Sequence, residues 1–237
     1  MTAIGAPETP SRVGSRRSGG TRSRGTRSGA ARYARWAGEL LITFGVIVML
    51  FAAYEVWGTT AIVEAHQQDL DKQLTQAWTT AGDEQAMPGS ALARLYIPVL
   101  GMHWVVVEGV QLSQIQYAPG HYPGTAMPGQ IGNFSVAGHR IPSIFWNLQE
   151  VTKGQPIIVQ TKDYWYVYTV TEQEVVDPYA IRVVAPTPDD LNAAPSRAML
   201  TLTTCNPKWA DYQRLVVHAE LTSTTPAAGG PPIPLGS

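Results

Sequence analysis

The sequence predicts a mainly β protein, a closed or nearly closed β-barrel that follows one membrane-spanning helix. Three observations lead to this prediction. Residues 91–222 contain short runs of alternating apolar and polar residues separated by glycine and proline, as in an all-β barrel. Helical periodicity is scarce in that part of the chain. Before it, one uncharged apolar stretch is long enough to cross a bilayer as a helix.

The first 35 residues are rich in serine, glycine and arginine and are predicted to form a disordered basic tail. Residues 9–35 carry eight arginines and no acidic residue, whereas the chain after Trp57 holds nine Lys/Arg against fifteen Asp/Glu. In a soluble protein such a tail suits nucleic-acid binding and plain solvation equally well. The apolar segment that follows indicates a membrane instead, so no nucleic-acid partner is expected.

Residues 36–57 are predicted to form a transmembrane helix. No charge occurs between Leu40 and Tyr54, and Trp36 and Trp57 lie at the two ends of the stretch. As a helix it is about 33 Å long, enough for a hydrocarbon core of about 30 Å. Arginines before the span and none soon after it predict a single-pass type II protein of the cell membrane, with its domain outside the cell. A cleaved signal peptide is the alternative, but no small-x-small cleavage site follows.

Residues 58–90 are predicted to form an extracellular stalk or linker. From Val63 to Trp78 the apolar residues recur at helical spacing, which predicts an amphipathic helix that is either a stalk or packed on the domain. Polar residues with glycine and proline follow, so the folded domain is expected at 91–222. Residues 223–237 are rich in proline and glycine and are predicted to be a disordered tail.

Alternating apolar positions predict seven strands in the folded domain. They are Leu92–Val99, Trp104–Val110, Asn133–Ala137, Pro156–Lys162, Trp165–Val176, Met199–Cys205 and Arg214–Leu221. Short helices are predicted at Ser113–Gln116, Ile144–Gln149 and Asp189–Ala193.

Cys205, the only cysteine of the chain, ends one predicted strand. By strand alternation it lies on the face opposite Leu200 and Leu202. If the next strand is its antiparallel neighbour, Arg214 meets Cys205 at the base of the loop 206–213. A guanidinium beside a thiol favours the thiolate, which is the nucleophilic form. Alternatively, a lone cysteine can simply be a small buried apolar residue. Such a residue is expected on the face of Leu200 and Leu202, which is not the face of Cys205.

Among the five histidines, His139 is the predicted partner of the thiol. A glycine precedes it, a loop follows it, and its strand parity matches that of Cys205. A metal site is disfavoured because no two potential ligands fall at C-x-x-C or H-x-x-x-H spacing. No metal or other cofactor is therefore expected.

Five stretches follow one another in the order Ala93–Pro98, Tyr117–Thr125, Gly132–Arg140, Thr201–Cys205 and Arg214–Ala219. Together they resemble the sortase family. Within that family, the runs Gly-His-Tyr-Pro-Gly-Thr and Gly-His-Arg are most similar to class E sortases of high-GC Gram-positive bacteria.

The resemblance implies an eight-stranded sortase β-barrel with short helices and a cysteine transpeptidase activity. Cys205 is then the nucleophile, His139 the acid/base partner and Arg214 the third catalytic residue. Thr204 matches the signature threonine beside the nucleophile and is expected to help shape the substrate pocket. Tyr122 resembles a position that faces the second residue of the sorting motif, although a turn tyrosine packed on the barrel is an equal alternative.

The resemblance also implies the substrates. Family members cut surface proteins at a C-terminal motif of LAXTG or LPXTG type, between threonine and glycine, and pass the thioester to an amine of a peptidoglycan precursor such as lipid II. Asn206 and Trp209 depart from the histidine and phenylalanine expected for class E, which predicts altered substrate or pH preference with retained activity. Two alternatives stay open: another extracellular cysteine enzyme such as an L,D-transpeptidase, and a membrane-tethered barrel that binds a partner without chemistry.

Overall fold

The computed structural model describes residues 28–54, 58–80, 87–188 and 190–232, and the chain divides into two compact units, 1–51 and 52–237. The first unit contains all but the last two residues of the helix α1 (Ser28–Ala53). Its segment Ala31–Ala53 has the length and composition of a membrane span. The helix begins eight residues before the predicted span because Ala30, Ala31 and Arg32 favour helix. Residues 1–27 of the predicted tail and 55–57 of the predicted span lie outside the described residues.

A second helix, α2 (Thr59–Thr79), packs on the barrel through the apolar face that the spacing predicts. Val63, Leu70 and Leu74 are buried there against strand residues. Between them, the Gln67 side chain accepts a hydrogen bond from the Val105 amide at 2.6 Å. The helix is therefore part of the folded unit rather than a free stalk. Residues 81–86 of the predicted linker lie outside the described residues.

The described residues form a closed barrel of eight strands in the order β1-β2-β3-β4-β7-β8-β6-β5. Pairs β2/β3 and β4/β7 are parallel, and the other pairs are antiparallel. The strands are β1 (Ala91–Ile97), β2 (Met102–Glu108), β3 (Gly120–His121), β4 (Gly132–Ala137), β5 (Pro156–Gln160), β6 (Tyr164–Val176), β7 (Ala198–Asn206) and β8 (Gln213–Pro226).

Strand alternation sorts the side chains as predicted. Leu200 and Leu202 of β7 lie in the barrel core with Phe134 and Val136 of β4, and all four are fully buried. The opposite parity of β7 therefore holds Thr201, Thr203 and Cys205.

The structure differs from the prediction at one strand and two helices. The two-residue strand β3 was missed, because it lies within a run of turn-forming glycines and prolines. The segment predicted as the helix Ile144–Gln149 consists of turns and leads into the 3-10 helix Leu148–Glu150. Ile144, Phe145 and Leu148 are all buried in the core, and turns achieve this burial without a regular α-helix. In the segment predicted as the helix Asp189–Ala193, residue 189 lies outside the described residues and 190–193 form a turn without helix.

The C-terminal strand is longer than predicted. β8 continues to Pro226, which pairs with Tyr164 of β6, so ordered structure extends beyond the predicted boundary at 222. Backbone pairing, which has no strong side-chain signature, holds these extra residues. Of the predicted tail, residues 233–237 lie outside the described residues.

Candidate active site

The parallel pairing of β4 with β7 brings His139 and Cys205 to the same end of the barrel. Ala137 is the register partner of Thr203. The pairing continues one residue further, because the Gly138 amide donates to the Thr203 carbonyl at 3.0 Å. His139 lies two residues after Ala137, and Cys205 lies two residues after Thr203. The two residues therefore continue neighbouring parallel strands with the same parity.

Gly138 permits a close approach of the buried segment that follows His139. A Cβ at this position would lie 2.5 Å from Cδ2 of Phe145 and 3.0 Å from Cγ2 of Ile144. The Phe145 amide also donates to the His139 carbonyl at 3.1 Å. The core thereby fixes the backbone that carries His139, which is the physical reason for the glycine noted in the sequence.

The imidazole of His139 is half-buried at the end of the barrel. Burial lowers its pKa below the ordinary value of 6.5, so the neutral ring predominates at pH 7. Among the described residues, no side-chain hydrogen bond engages this ring. A neutral, unengaged imidazole at the same end of the barrel as a thiol is suited to accept its proton.

The antiparallel pair β7/β8 sets Arg214 opposite Cys205 in register, as the strand pattern predicts. The thiol is half-buried and free. The guanidinium of Arg214 donates through Nη1 to the Asp211 carbonyl at 2.6 Å and the Gln213 carbonyl at 2.9 Å. Arg214 is therefore fastened to the loop between β7 and β8, next to the thiol-bearing strand.

A cavity of about 120 Å³ opens beside Arg214. Tyr122 and Thr203 line it together with Arg214, and the Tyr122 and Thr203 hydroxyls are hydrogen-bonded at 3.2 Å. Residues of the segment 176–184 form the rest of the wall, among them the exposed Tyr179 and Ile181. Apolar surface together with hydroxyls and a cation suits an extended peptide with an apolar side chain.

A buried polar network holds this wall against the barrel. Asn133 donates through Nδ2 to the carbonyls of Val183 at 3.1 Å and Ala185 at 3.0 Å. Its Oδ1 accepts from the Thr201 hydroxyl at 2.8 Å, and that hydroxyl also contacts Nδ1 of His218 at 2.9 Å. The cavity is thus shaped by residues of β4, β7 and β8 that do not touch it.

Arg140 also reaches the thiol-bearing strand. It is 8% exposed, and its Nη1 donates to the Cys205 carbonyl at 3.0 Å and to Oδ1 of Asn206 at 2.6 Å. Sequence reasoning named Arg140 only within the Gly-His-Arg stretch and gave it no role. The sequence feature that could have indicated this contact is an arginine directly after the candidate histidine, together with an asparagine directly after the cysteine.

Comparisons with a family model and with curated proteins point to the same family. Residues 95–222 match the sortase domain. Sortase SrtE1 of Streptomyces coelicolor is 32% identical over 96% of this chain and 67% of its own length. Sortase SrtE2 of the same organism is 28% identical over 84% of this chain and 86% of its own length.

The chain belongs to the sortase family. Solved structures agree with this assignment and with the class E resemblance. The crystal structure of sortase E1 from Streptomyces coelicolor with a tripeptide in the active site is 31% identical, has a TM-score of 0.57, and covers 62% of this chain and 98% of that protein. The SrtA sortase from Actinomyces oris is 32% identical with a TM-score of 0.60, over 63% of this chain and 89% of its own.

Thr204 lies apart from the cavity of this sortase. Alternation places it on the side of Leu202, and it is buried. Its hydroxyl is a buried polar atom without a hydrogen-bond partner among the described residues. Thr203, not singled out from the sequence, is the threonine that lines the cavity. The predicted substrate-binding role of Thr204 stays a prediction.

The candidate site brings a thiol, an imidazole and two guanidiniums to one end of the barrel. Within the described ranges, no group of three or more His, Cys, Asp or Glu residues is arranged to hold a metal ion. The sortases are cysteine transpeptidases, and the arrangement at the barrel end supplies the groups for acyl transfer to a thiol.

Proposed function

We propose that this sortase is a membrane-anchored cysteine transpeptidase that cuts surface proteins at a C-terminal LAXTG or LPXTG motif. The bond cut is the one between threonine and glycine, and the acceptor is an amine of a peptidoglycan precursor of lipid II type. The observation that carries the proposal is that two strand pairings converge on the end of β7. The β4/β7 register ends two residues before His139 and Cys205, and the β7/β8 register pairs Cys205 with Arg214.

In the acylation half-reaction, neutral His139 takes the proton of the Cys205 thiol. The thiolate then attacks the carbonyl carbon of the motif threonine, and the developing oxyanion accepts a hydrogen bond from Arg214. As the carbon–nitrogen bond breaks, the imidazolium of His139 gives its proton to the leaving glycine amine. The products are a thioester on Cys205 and a neutral His139.

In the second half-reaction, the acceptor amine attacks the thioester carbonyl. His139 takes the proton that the amine loses, and Cys205 leaves as the thiolate. A new amide joins the surface protein to the precursor, and proton return from His139 restores the thiol. The pair of Cys205 and His139 thus serves both steps, because in each step one proton moves between the imidazole and the amine of the substrate.

The cavity beside Arg214 is proposed to bind the sorting motif. Tyr122 and Thr203 provide hydroxyls, and Tyr179 and Ile181 provide apolar surface. This arrangement supports the placement of Tyr122 near the second motif residue. The tripeptide in the active site of the Streptomyces coelicolor sortase E1 supports peptide binding at this end of the barrel.

The helix α1 is proposed to be the membrane anchor. Its uncharged segment and the arginines that precede it support a type II arrangement, with the N-terminus in the cytoplasm and the barrel outside the cell. Such an anchor keeps the enzyme at the membrane surface, where lipid-linked precursors are found. Protease added to intact cells should then remove the barrel and leave an epitope placed at the N-terminus intact.

The chemistry is tested by mass spectrometry of the detergent-solubilised chain with LAXTG and LPXTG peptides and a glycine-based amine. A ligated product ending at threonine is expected from the natural chain, and none from Cys205→Ala. His139→Gln should lose ligation while Cys205 still reacts with an alkylating reagent. Ligation by Cys205→Ala would end the proposal. No cleavage of either peptide, with an unreactive thiol, would favour a barrel that only binds a partner.

A further inference from the structure

Arg140 is a buried cation whose hydrogen-bond partners are all neutral. Nη1 donates to the Cys205 carbonyl and to Asn206 Oδ1, and Nη2 donates to Gln149 Oε1 at 2.7 Å. Within the part of the chain that the structure describes, no carboxylate pairs with it, and its Nε has no partner. A buried charge is costly unless an opposite charge lies near. Burial of this guanidinium among neutral partners therefore costs free energy in the resting protein.

The anion that forms beside Arg140 is the Cys205 thiolate. Burial lowers the pKa of the Arg140 guanidinium, and attraction to the charge of Cys205 opposes that effect. The 3.0 Å contact between Nη1 of Arg140 and the Cys205 carbonyl holds this positive charge at the residue that carries the thiol, and a cation near a thiol favours the ionised form.

The contacts of Arg140 also join the two chain segments that carry the catalytic pair. Arg140 directly follows His139, and its guanidinium holds the carbonyl of Cys205 itself. Asn206 extends the connection, because its Nδ2 donates to Gln213 Oε1 at 3.0 Å at the start of β8. The side chains of residues 149, 140, 206 and 213 thus form one chain of hydrogen bonds across the end of the barrel.

We propose that Arg140 is a positioning residue of this sortase that locks the Cys205 strand end to the His139 segment and places a positive charge beside the thiolate. The inference rests on the proposed function, in which the thiolate is the nucleophile.

This role explains the amide at position 206. Asparagine offers Arg140 a neutral oxygen and still has an NH₂ group for Gln213. A histidine has one acceptor nitrogen when neutral and none when protonated, when it would add a second positive charge beside Arg140. Asn206→His is therefore expected to weaken the contact between Arg140 and the Cys205 strand.

The test is the pH profile of Cys205 alkylation by iodoacetamide, measured on the detergent-solubilised full chain without any peptide. Cys205 is the only cysteine, so the readout reports one thiol. In Arg140→Gln the midpoint of the profile should rise by about one pH unit, as expected for loss of a nearby cation. Arg140→Lys should recover most of that shift. Gln149→Glu should raise the midpoint as well, because a carboxylate then neutralises the untouched guanidinium.

The control is Gln160→Glu, which adds the same charge on β5, and it should leave the midpoint unchanged. Other ionisable groups on the elements around the thiol stay the same in all variants; they are Tyr122, His139, Asp177, Lys208, Asp211 and Arg214.

An unshifted midpoint in folded Arg140→Gln would overturn the inference. If that variant does not fold, Gln149→Glu decides, since its midpoint must rise for the inference to stand. Failure of the proposed function gives a different result: no peptide ligation by the natural chain, while the alkylation midpoints still separate the Arg140 variants.

Discussion

Replacing Gly138 with alanine tests how closely the core controls the position of His139. The new Cβ would lie 2.5 Å from Cδ2 and 2.7 Å from Cε2 of Phe145. Carbon atoms in contact are about 3.5–4.0 Å apart, so the groups must separate by about 1 Å. Phe145 is fully buried and packs edge-on against Trp104, with ring centroids 5.3 Å apart. We therefore expect the backbone at 138–139 to move.

The expected magnitudes follow from that displacement. Overpacking of this kind costs about 1–3 kcal/mol in the free energy of unfolding. A shift of about 1 Å in a catalytic group lowers the rate by about 100-fold. Gly138→Ala should therefore remain folded at room temperature but lose about two orders of magnitude in kcat/KM for peptide ligation.

The assay combines steady-state ligation with urea unfolding of the same preparation. Gly229→Ala is the matched control, because a Cβ there meets nothing within 4 Å and the variant should behave as the natural chain. The double variant Gly138→Ala/Phe145→Leu makes room for the methyl group and should recover part of the lost rate. Full activity in Gly138→Ala, or a rate loss explained entirely by its unfolded fraction, would refute the reasoning.

Three further predictions concern the residues around the site. Asn133→Leu leaves the carbonyls of Val183 and Ala185 without their donor, so urea unfolding should show a loss of about 2–4 kcal/mol and ligation a raised KM; an unchanged KM would contradict the role of Asn133 in shaping the cavity. Burial lowers the pKa of His218 below 6.5. The unfolded chain therefore binds a proton first as the pH falls, so the Tm should drop from pH 7 to 5.5, and less steeply in His218→Gln; equal slopes would speak against it. Thr204→Val removes an unpartnered hydroxyl, so the Tm should not fall; a several-fold loss of kcat/KM is expected if Thr204 contributes to substrate binding, and an unchanged rate would exclude that role.

Much of the strand content could be predicted from period-2 alternation alone. The predicted Asn133–Ala137, Trp165–Val176 and Met199–Cys205 lie within β4, β6 and β7 and end at most one residue from their ends. Alternation is a local property of the chain, so it needs no knowledge of neighbouring strands. The same locality placed Arg214 opposite Cys205, because one short loop joins the two strands.

Tertiary structure decided that Cys205 meets the segment of His139 and Arg140. β4 and β7 are far apart in sequence and pair in parallel, and no local pattern specifies which distant strand fills that place in the barrel. Strand parity suggested that His139 and Cys205 share a face, but only the register put them at the same end. The link from Arg140 to Asn206 has the same origin. The sequence by itself determined seven of the eight strands, their faces and the candidate catalytic residue types. Barrel closure decided which of those residues meet, because hydrogen bonds between distant strands form only in the folded chain.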